Sequence, residues 1–289
     1  MPKQVLVMGA GKSATTLIHY LLEHAQVENW QVTVADLDLE LAKRKVSNHP
    51  LGKAIVLDFS DEAACGKAVA DADCVVSMLP PTMHAGIARH CITYRKNLVT
   101  ASYVSEEMKA LDSAARDAGI LLLNEMGVDP GIDHMTAMEV LDELRQKGFP
   151  VIGFESFTGG LMAPDSEKGP WKYKFTWNPR NIVLAASGGA VKFLHGGRYK
   201  YIPYHKVFRR TEIIPIGNYG EFEAYGNRDS LKYKDLYGLN DARTIYRGTL
   251  RRPGFCRAWD IFVQLGATDD SFLMENVAEL THREFINSF

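Results

Sequence analysis

The sequence predicts an α/β protein whose N-terminal part is a doubly wound parallel sheet and whose remainder is a mixed α+β domain. Three observations predict it. A short Val- and Leu-rich run, Gln4 to Met8, breaks into Gly9-Ala10-Gly11, as a buried strand ending in a tight turn does. Ala14, Leu17, Ile18, Leu21 and Leu22 then recur at helical spacing directly after the glycines. The same strand-then-helix step repeats as far as Asn124, and such alternation builds parallel sheets.

The second step is Gln31 to Ala35, rich in β-branched residues and ending at Asp36, followed by the charged helical stretch LDLELAKRKV. Ala54 to Leu57, Cys74 to Met78, Asn97 to Thr100 and Ile120 to Asn124 supply four more strands. Helical stretches around Glu62–Val69, Thr82–His90 and Ser105–Ala118 separate them. After about Pro150 glycines, aromatics and short apolar runs become frequent and the long alternating units disappear. The division expected is residues 1–125 for a dinucleotide-binding domain of the Rossmann type and residues 126–289 for a substrate-binding and dimerisation domain.

The chain has 289 residues, 46% of them hydrophobic and 24% charged, which suits a folded protein with full cores. A net charge of -2 gives no basic field, so nucleic acid and anionic membrane are excluded as expected partners. Cys65, Cys74, Cys91 and Cys256 are scattered without zinc-type spacing, so no metal is expected and the thiols are read as reduced. The opening MPKQVLVMGAGK enters a strand at once, with no signal or transit pattern, and a cytoplasmic address follows as an expectation.

Gly9-Ala10-Gly11-Lys12-Ser13-Ala14 fits G-x-G-x-x-A between a strand and a helix. Gly9 permits the turn, Gly11 lets backbone approach a pyrophosphate, and Ala14 lets helix pack on strand. Lys12 and Ser13 open the helix, where free N–H groups favour an anion. Asp36 ends the second strand, where a carboxylate accepts ribose hydroxyls and repels a 2′-phosphate, so NAD is expected in preference to NADP. The other reading of Asp36 is a helix cap. Asp58 either reaches an adenine edge or forms a turn. Ser77, Leu79 and Pro80, at the end of the fourth strand, are expected to line the nicotinamide side of the crevice.

Several further blocks carry a resemblance: VTASYVS (Val99–Ser105), NEMGVDPGIDH (Asn124–His134), GGLMAPDS (Gly159–Ser166), YKFTWNPRNIVLA (Tyr173–Ala185), YGNRDS (Tyr225–Ser230) and RGTLRRPGF (Arg247–Phe255). In these the chain resembles the L-glutamate-forming saccharopine dehydrogenases, or saccharopine reductases, of lysine metabolism. The resemblance implies NAD(P)-dependent interconversion of saccharopine with L-glutamate and 2-aminoadipate 6-semialdehyde through an imine, and a homodimer. It also implies that the family continues beyond the segment matching Arg247–Phe255, so the second domain is expected to lack its return segment. Fungal NADP-using members carry a basic residue where this chain has Asp36-Leu37, which favours NAD here. Some members place Cys where this chain has Thr158, so no thiol is needed for chemistry. A related amino-acid C–N dehydrogenase, such as a carboxynorspermidine dehydrogenase, and a non-catalytic dinucleotide-binding protein are the alternatives.

A substrate with three carboxylates calls for fixed cations, and arginine's planar fork suits them. Arg228 and Arg247 are the candidates, ahead of Arg251, while Lys172 and Lys174 are read as solvated. Ser102, Tyr103, Asp129, Thr158 and Gly159 complete the expected substrate contacts. Tyr103 and Asp129 follow the fifth and sixth strands, where a doubly wound fold gathers its chemistry, and either is placed to orient water or move a proton. His134 is read equally as a functional or a capping residue, and Asp133 as an N-cap. The aromatic stretch Trp171–Trp177 covers substrate or belongs to a core or dimer surface.

Overall fold

Alternation along β1 (Lys3–Met8) decides the layering of the N-terminal part. Val5 and Val7 face one side, Leu6 and Met8 the other, and all four are buried, so helices must cover both faces. The computed structural model describes residues 2–176, 178–185 and 189–289. The chain forms two units, Met1–Met135 and Thr136–Phe289.

In the first unit β1 leads through a short 3-10 turn to α1 (Thr15–His24), β2 (Trp30–Asp36), α2 (Leu39–Val46), β3 (Gly52–Val56), α3 (Glu62–Ala70), β4 (Cys74–Ser77), α4 (His84–Tyr94), β5 (Asn97–Thr100), α5 (Glu106–Ala110), α6 (Asp112–Ala118) and β6 (Leu122–Leu123). The six strands are parallel in the order β3-β2-β1-β4-β5-β6. The order reverses between β1 and β4, which places a crevice at the carboxyl ends of those two strands. Ile18 and Leu22 of α1 with Ala42 and Val46 of α2 bury the Val5 and Val7 face. Val69 of α3 and Ile87, Ala88 and Cys91 of α4 bury the opposite one.

Asp38, Asp61 and Ser105 start α2, α3 and α5 by accepting from backbone N–H groups three residues on. Two elements depart from the sequence expectation. The stretch Ser105–Ala118 is two helices that meet at Leu111, whose φ of −86° and ψ of −5° flatten the turn there and whose side chain packs against the core. The strand expected over Ile120–Asn124 shrinks to two residues, as it pairs on one side only and Leu121 lies open to solvent. All four cysteines are free, and burial pushes the Cys91 thiol up to about 12, so it stays protonated.

The second unit takes in most of α7 (Ile132–Gln146), then β7 (Gly153–Thr158), α8 (Pro179–Val183), β8 (Val191–His195), β9 (Arg198–Ile202), β10 (Thr211–Pro215), β11 (Glu221–Gly226), α9 (Tyr233–Leu236), β12 (Thr244–Arg251), α10 (Phe255–Leu265) and α11 (His282–Asn287). β12 is the organising strand. It pairs parallel with β7 and antiparallel with β11 and β8, while β10 and β9 extend the sheet. One core joins Val191, Tyr225, Phe255 and Val263, and another joins Leu141, Tyr237, Leu239 and Ile245. Among the described residues no helix is long and apolar enough to cross a membrane.

Candidate active site

The glycine turn is built as the motif requires. Gly9 has φ of +101°, and a Cβ there would lie 3.1 Å from the Met78 carbonyl oxygen, so only glycine fits between β1 and the end of β4. Gly11 differs: its backbone is extended, with φ of −60°, and a Cβ would meet nothing within 4 Å. That open space lies beside exposed Lys12 and Ser13 and ahead of the ten-residue α1, where the motif places a pyrophosphate. Ala14 is fully buried against the sheet, which is the reason for a small residue there.

Asp36 does more than end β2. Its Oδ2 accepts from the Ala10 N–H at 2.7 Å, inside the glycine turn, and its Oδ1 accepts from the Asp38 N–H at 3.0 Å. The helix cap is Asp38 instead. Asp58 forms a turn: its Oδ1 accepts from the N–H and the hydroxyl of Ser60, and these bonds lower its carboxyl below the usual range.

At the end of β4 the Ser77 side chain is buried, and its hydroxyl lies 2.9 Å from His84 Nδ1. Leu79 is buried in the core and Pro80 is exposed. Among these three, Pro80 alone presents a side chain to solvent. The His84 ring continues through Nε2 to Ser102 Oγ at 2.8 Å and Thr100 Oγ1 at 3.1 Å. Burial pushes His84 down to about 4, so the ring is neutral. Sequence reasoning passed over His84 because it reads as one more residue of an amphipathic helix. Its partners lie seven, sixteen and eighteen residues away.

The loops after β5 and β6 bring Tyr103 and Asp129 together. The Tyr103 hydroxyl donates to Asp129 Oδ1 at 2.5 Å, and Tyr103 is partly open to solvent. Backbone bonds lace the two loops: Glu125 N–H to the Ser102 carbonyl and Met126 N–H to the Thr100 carbonyl, each 3.1 Å, while Glu125 Oε1 accepts from the Val104 N–H at 3.0 Å. Gly131 closes the second loop with φ of +150°, where a Cβ would fall 2.1 Å from the Gly127 carbonyl oxygen. Asp133 lies inside α7, with Oδ1 accepting from the Gly131 N–H, and His134 Nε2 stands 3.3 Å from Glu125 Oε2.

In the second unit Thr158 ends β7 opposite Thr249, and Gly159 follows where a Cβ would meet the Leu250 carbonyl oxygen at 2.5 Å. Arg228 is exposed on a backbone with φ of +45°. Arg247 is buried, its guanidinium 4.2 Å from the centre of the Tyr233 ring. Arg251 is buried too, against Tyr173, Tyr225 and Phe255. Trp171 and Tyr173 join an aromatic cluster with Phe255, and Trp171 also meets Trp259 and Phe262. Lys172 and Lys174 are exposed. Trp177, the last residue of the expected aromatic stretch, lies outside the described residues. Among the described residues no group of acidic, His and Cys side chains is arranged to hold a metal.

Two family models match the chain: a saccharopine dehydrogenase NADP binding domain over residues 5–123 and a saccharopine dehydrogenase C-terminal domain over residues 127–286. Among curated proteins, the NADP(+), L-glutamate-forming saccharopine dehydrogenase of Schizosaccharomyces pombe is 37% identical over 267 residues, covering 92% of this chain and 58% of that protein. Its namesake in Pyricularia oryzae is also 37% identical, covering 95% of this chain and 61% of its own length. The mitochondrial alpha-aminoadipic semialdehyde synthase of Bos taurus is 33% identical over 98% of this chain and 31% of its own. Among solved structures, apo saccharopine dehydrogenase (L-Glu forming) from Saccharomyces cerevisiae superposes with a TM-score of 0.84 at 34% identity, covering 93% of this chain and 59% of that one. The chain thus spans about three fifths of the length of the saccharopine dehydrogenases it matches.

These findings correct one expectation. The preference for NAD over NADP is overturned, because the matched N-terminal model is an NADP binding domain and the fungal relatives are named for NADP(+). The physical reason lies in Asp36. The expectation read cofactor choice from a carboxylate at a strand end, whereas that carboxylate accepts from the Ala10 and Asp38 N–H groups and so has a structural role in the turn that its position in the sequence does not show.

Proposed function

This chain belongs to the saccharopine dehydrogenase family, and we propose that it carries the NADP-dependent, L-glutamate-forming reaction: saccharopine, NADP and water give L-glutamate, 2-aminoadipate 6-semialdehyde and NADPH. The observation that carries the reading is the Tyr103–Asp129 pair, set in the loops after β5 and β6 of a sheet whose β1 end forms a phosphate cradle.

NADP bound at the Gly9–Ala14 turn supplies the hydride acceptor. The N–H groups at the start of the helical segment after Gly11 would hold its pyrophosphate, and Asp36, which accepts from the Ala10 N–H, keeps the turn in shape. Tyr103 and Asp129 act on protons: as the phenol takes a proton from attacking water it passes its own to Asp129, and as it gives one to the substrate nitrogen Asp129 returns that proton to it. Taken by itself, the second unit offers Arg228, exposed on a backbone with φ of +45°, as a candidate cation for a carboxylate. Arg247 stands on the Tyr233 ring as a second, buried cation, and Thr158 and Gly159 supply polar contacts from the end of β7. The same reading includes a homodimer, which sedimentation equilibrium checks.

The test is incubation of the chain with saccharopine and NADP. NADPH and L-glutamate appear in equal amounts if the reading holds. Absence of turnover with either nicotinamide dinucleotide sinks it, and preferential turnover of carboxynorspermidine reassigns the substrate.

A further inference from the structure

We infer that His84 is a positioning residue for the Tyr103–Asp129 pair, acting through Ser102; its effect on turnover rests on the function proposed above. The ring is 3% exposed and is ringed by hydroxyls from the ends of two neighbouring strands: Ser77 at the end of β4, and Thr100 and Ser102 at and beyond the end of β5. Thr100 Oγ1 also accepts from the Ser102 N–H at 3.4 Å, so one imidazole and one threonine fix both the backbone and the hydroxyl of Ser102. Ser102 in turn holds Glu125 by its carbonyl, and Tyr103, its next neighbour, reaches Asp129 four residues beyond Glu125. The path from ring to reacting pair is therefore continuous and short.

Protonation state matters to this arrangement. A neutral imidazole has one donor and one acceptor, so it donates to one serine while accepting from the other. An imidazolium would donate on both sides and leave a buried hydroxyl hydrogen without its acceptor, which is costly away from water. Desolvation favours the neutral ring down to about pH 4. The hydroxyls that His84 meets belong to Ser77, Thr100 and Ser102, outside the Gly9–Ala14 turn, so cofactor affinity and substrate turnover separate its role from that of a cofactor ligand.

The test uses the full chain with His84→Gln, His84→Leu and Ser102→Ala. Glutamine offers one amide donor and one carbonyl acceptor, and leucine offers neither. In all three, NADP dissociation constants stay within about threefold of the parent. In His84→Leu and Ser102→Ala, kcat with saccharopine falls about 10- to 100-fold with little change in KM, the loss a misplacement of about 1 Å produces. His84→Gln recovers to within about fivefold. In parallel, Tyr103 ring resonances in isotope-labelled protein, identified with Tyr103→Phe, shift in His84→Leu and return in His84→Gln. Tyr103 resonances that stay put in both His84→Leu and Ser102→Ala overturn the inference, whatever the turnover. A parent chain that does not turn over saccharopine removes the proposed function instead, and the resonances still decide the inference. Should His84→Leu fail to fold, Ser102→Ala decides, because it leaves the ring in place.

Discussion

Tyr103 and Asp129 lie 26 residues apart in the chain, yet the phenol hydrogen points at Asp129 Oδ1 across 2.5 Å. Two loops, each anchored by backbone bonds at its base, make that meeting possible. Removing either partner removes the proton path without emptying a core. Tyr103→Phe and Asp129→Asn are each expected to lower kcat with saccharopine by roughly 10²–10⁴-fold, with NADP affinity unchanged. Steady-state rates beside a direct NADP titration check this.

Gly11 offers a sharper test of the cradle. Its φ of −60° suits any residue, and a Cβ there touches nothing within 4 Å. Gly11→Ala is therefore expected to leave unfolding free energy within about 0.5 kcal/mol of the parent. Dinucleotide affinity falls at least tenfold, because the methyl group occupies the space meant for phosphate. Denaturant unfolding and cofactor titration separate the two effects.

Gly131 makes the opposite case. A side chain there meets the Gly127 carbonyl oxygen at 2.1 Å on a backbone with φ of +150°. Gly131→Ala is expected to destabilise the first unit by more than about 2 kcal/mol and to separate Tyr103 from Asp129. Urea unfolding gives the first figure, and loss of turnover at temperatures where the chain is still folded gives the second.

Acid should find His84. Its folded-state pKa, about 4, lies below the ordinary 6.5, so the unfolded chain binds more protons between these values. The contribution of the neutral ring is complete above about pH 6.5, falls as pH drops, and is gone below about 4. At about 1.4 kcal/mol per unit, moving from pH 7.5 to 4.5 costs on the order of 2–3 kcal/mol through this residue alone. The parent should lose that much more than His84→Gln over the same interval, measured by urea unfolding at both pH values.

Asp36→Ala should leave the Ala10 N–H without its carboxylate. Unfolding free energy is expected to fall by about 1–3 kcal/mol, the value of a hydrogen bond to a charged group. NAD and NADP should both bind more weakly, by similar factors. A loss confined to one of them would show that the carboxylate reads the ribose and does not brace the turn.

Much of the first unit was legible because its signals are local. Gly9 must be glycine for a turn that lies within its own neighbourhood, and Val5 to Met8 announce a strand buried on both faces. β9 sends no such signal: in RYKYI four consecutive residues are exposed, so no alternation marks it. The second unit's sheet hangs on β12, whose parallel partner β7 comes from far back in the chain, with four other strands between them. Tyr103 and Asp129 are named in sequence for their places after strands, but nothing there shows that they pair. His84 was missed, since its hydroxyl partners are assembled only when β4 and β5 pair. The cofactor preference failed at Asp36 for a related reason. A carboxylate at a strand end is visible in sequence, whereas the N–H groups that satisfy it are not.

The bond between Asp36 and Ala10 also constrains how this protein can be altered. The side chain at the end of β2 is a shared part, fastened to the glycine turn while standing at the strand end where the proposed dinucleotide site would meet a ribose. Any replacement chosen to rewrite one end unfastens the other. Cofactor choice here is therefore not a trait that a single exchange at position 36 transfers cleanly; it moves only together with a second change that gives the turn a new acceptor.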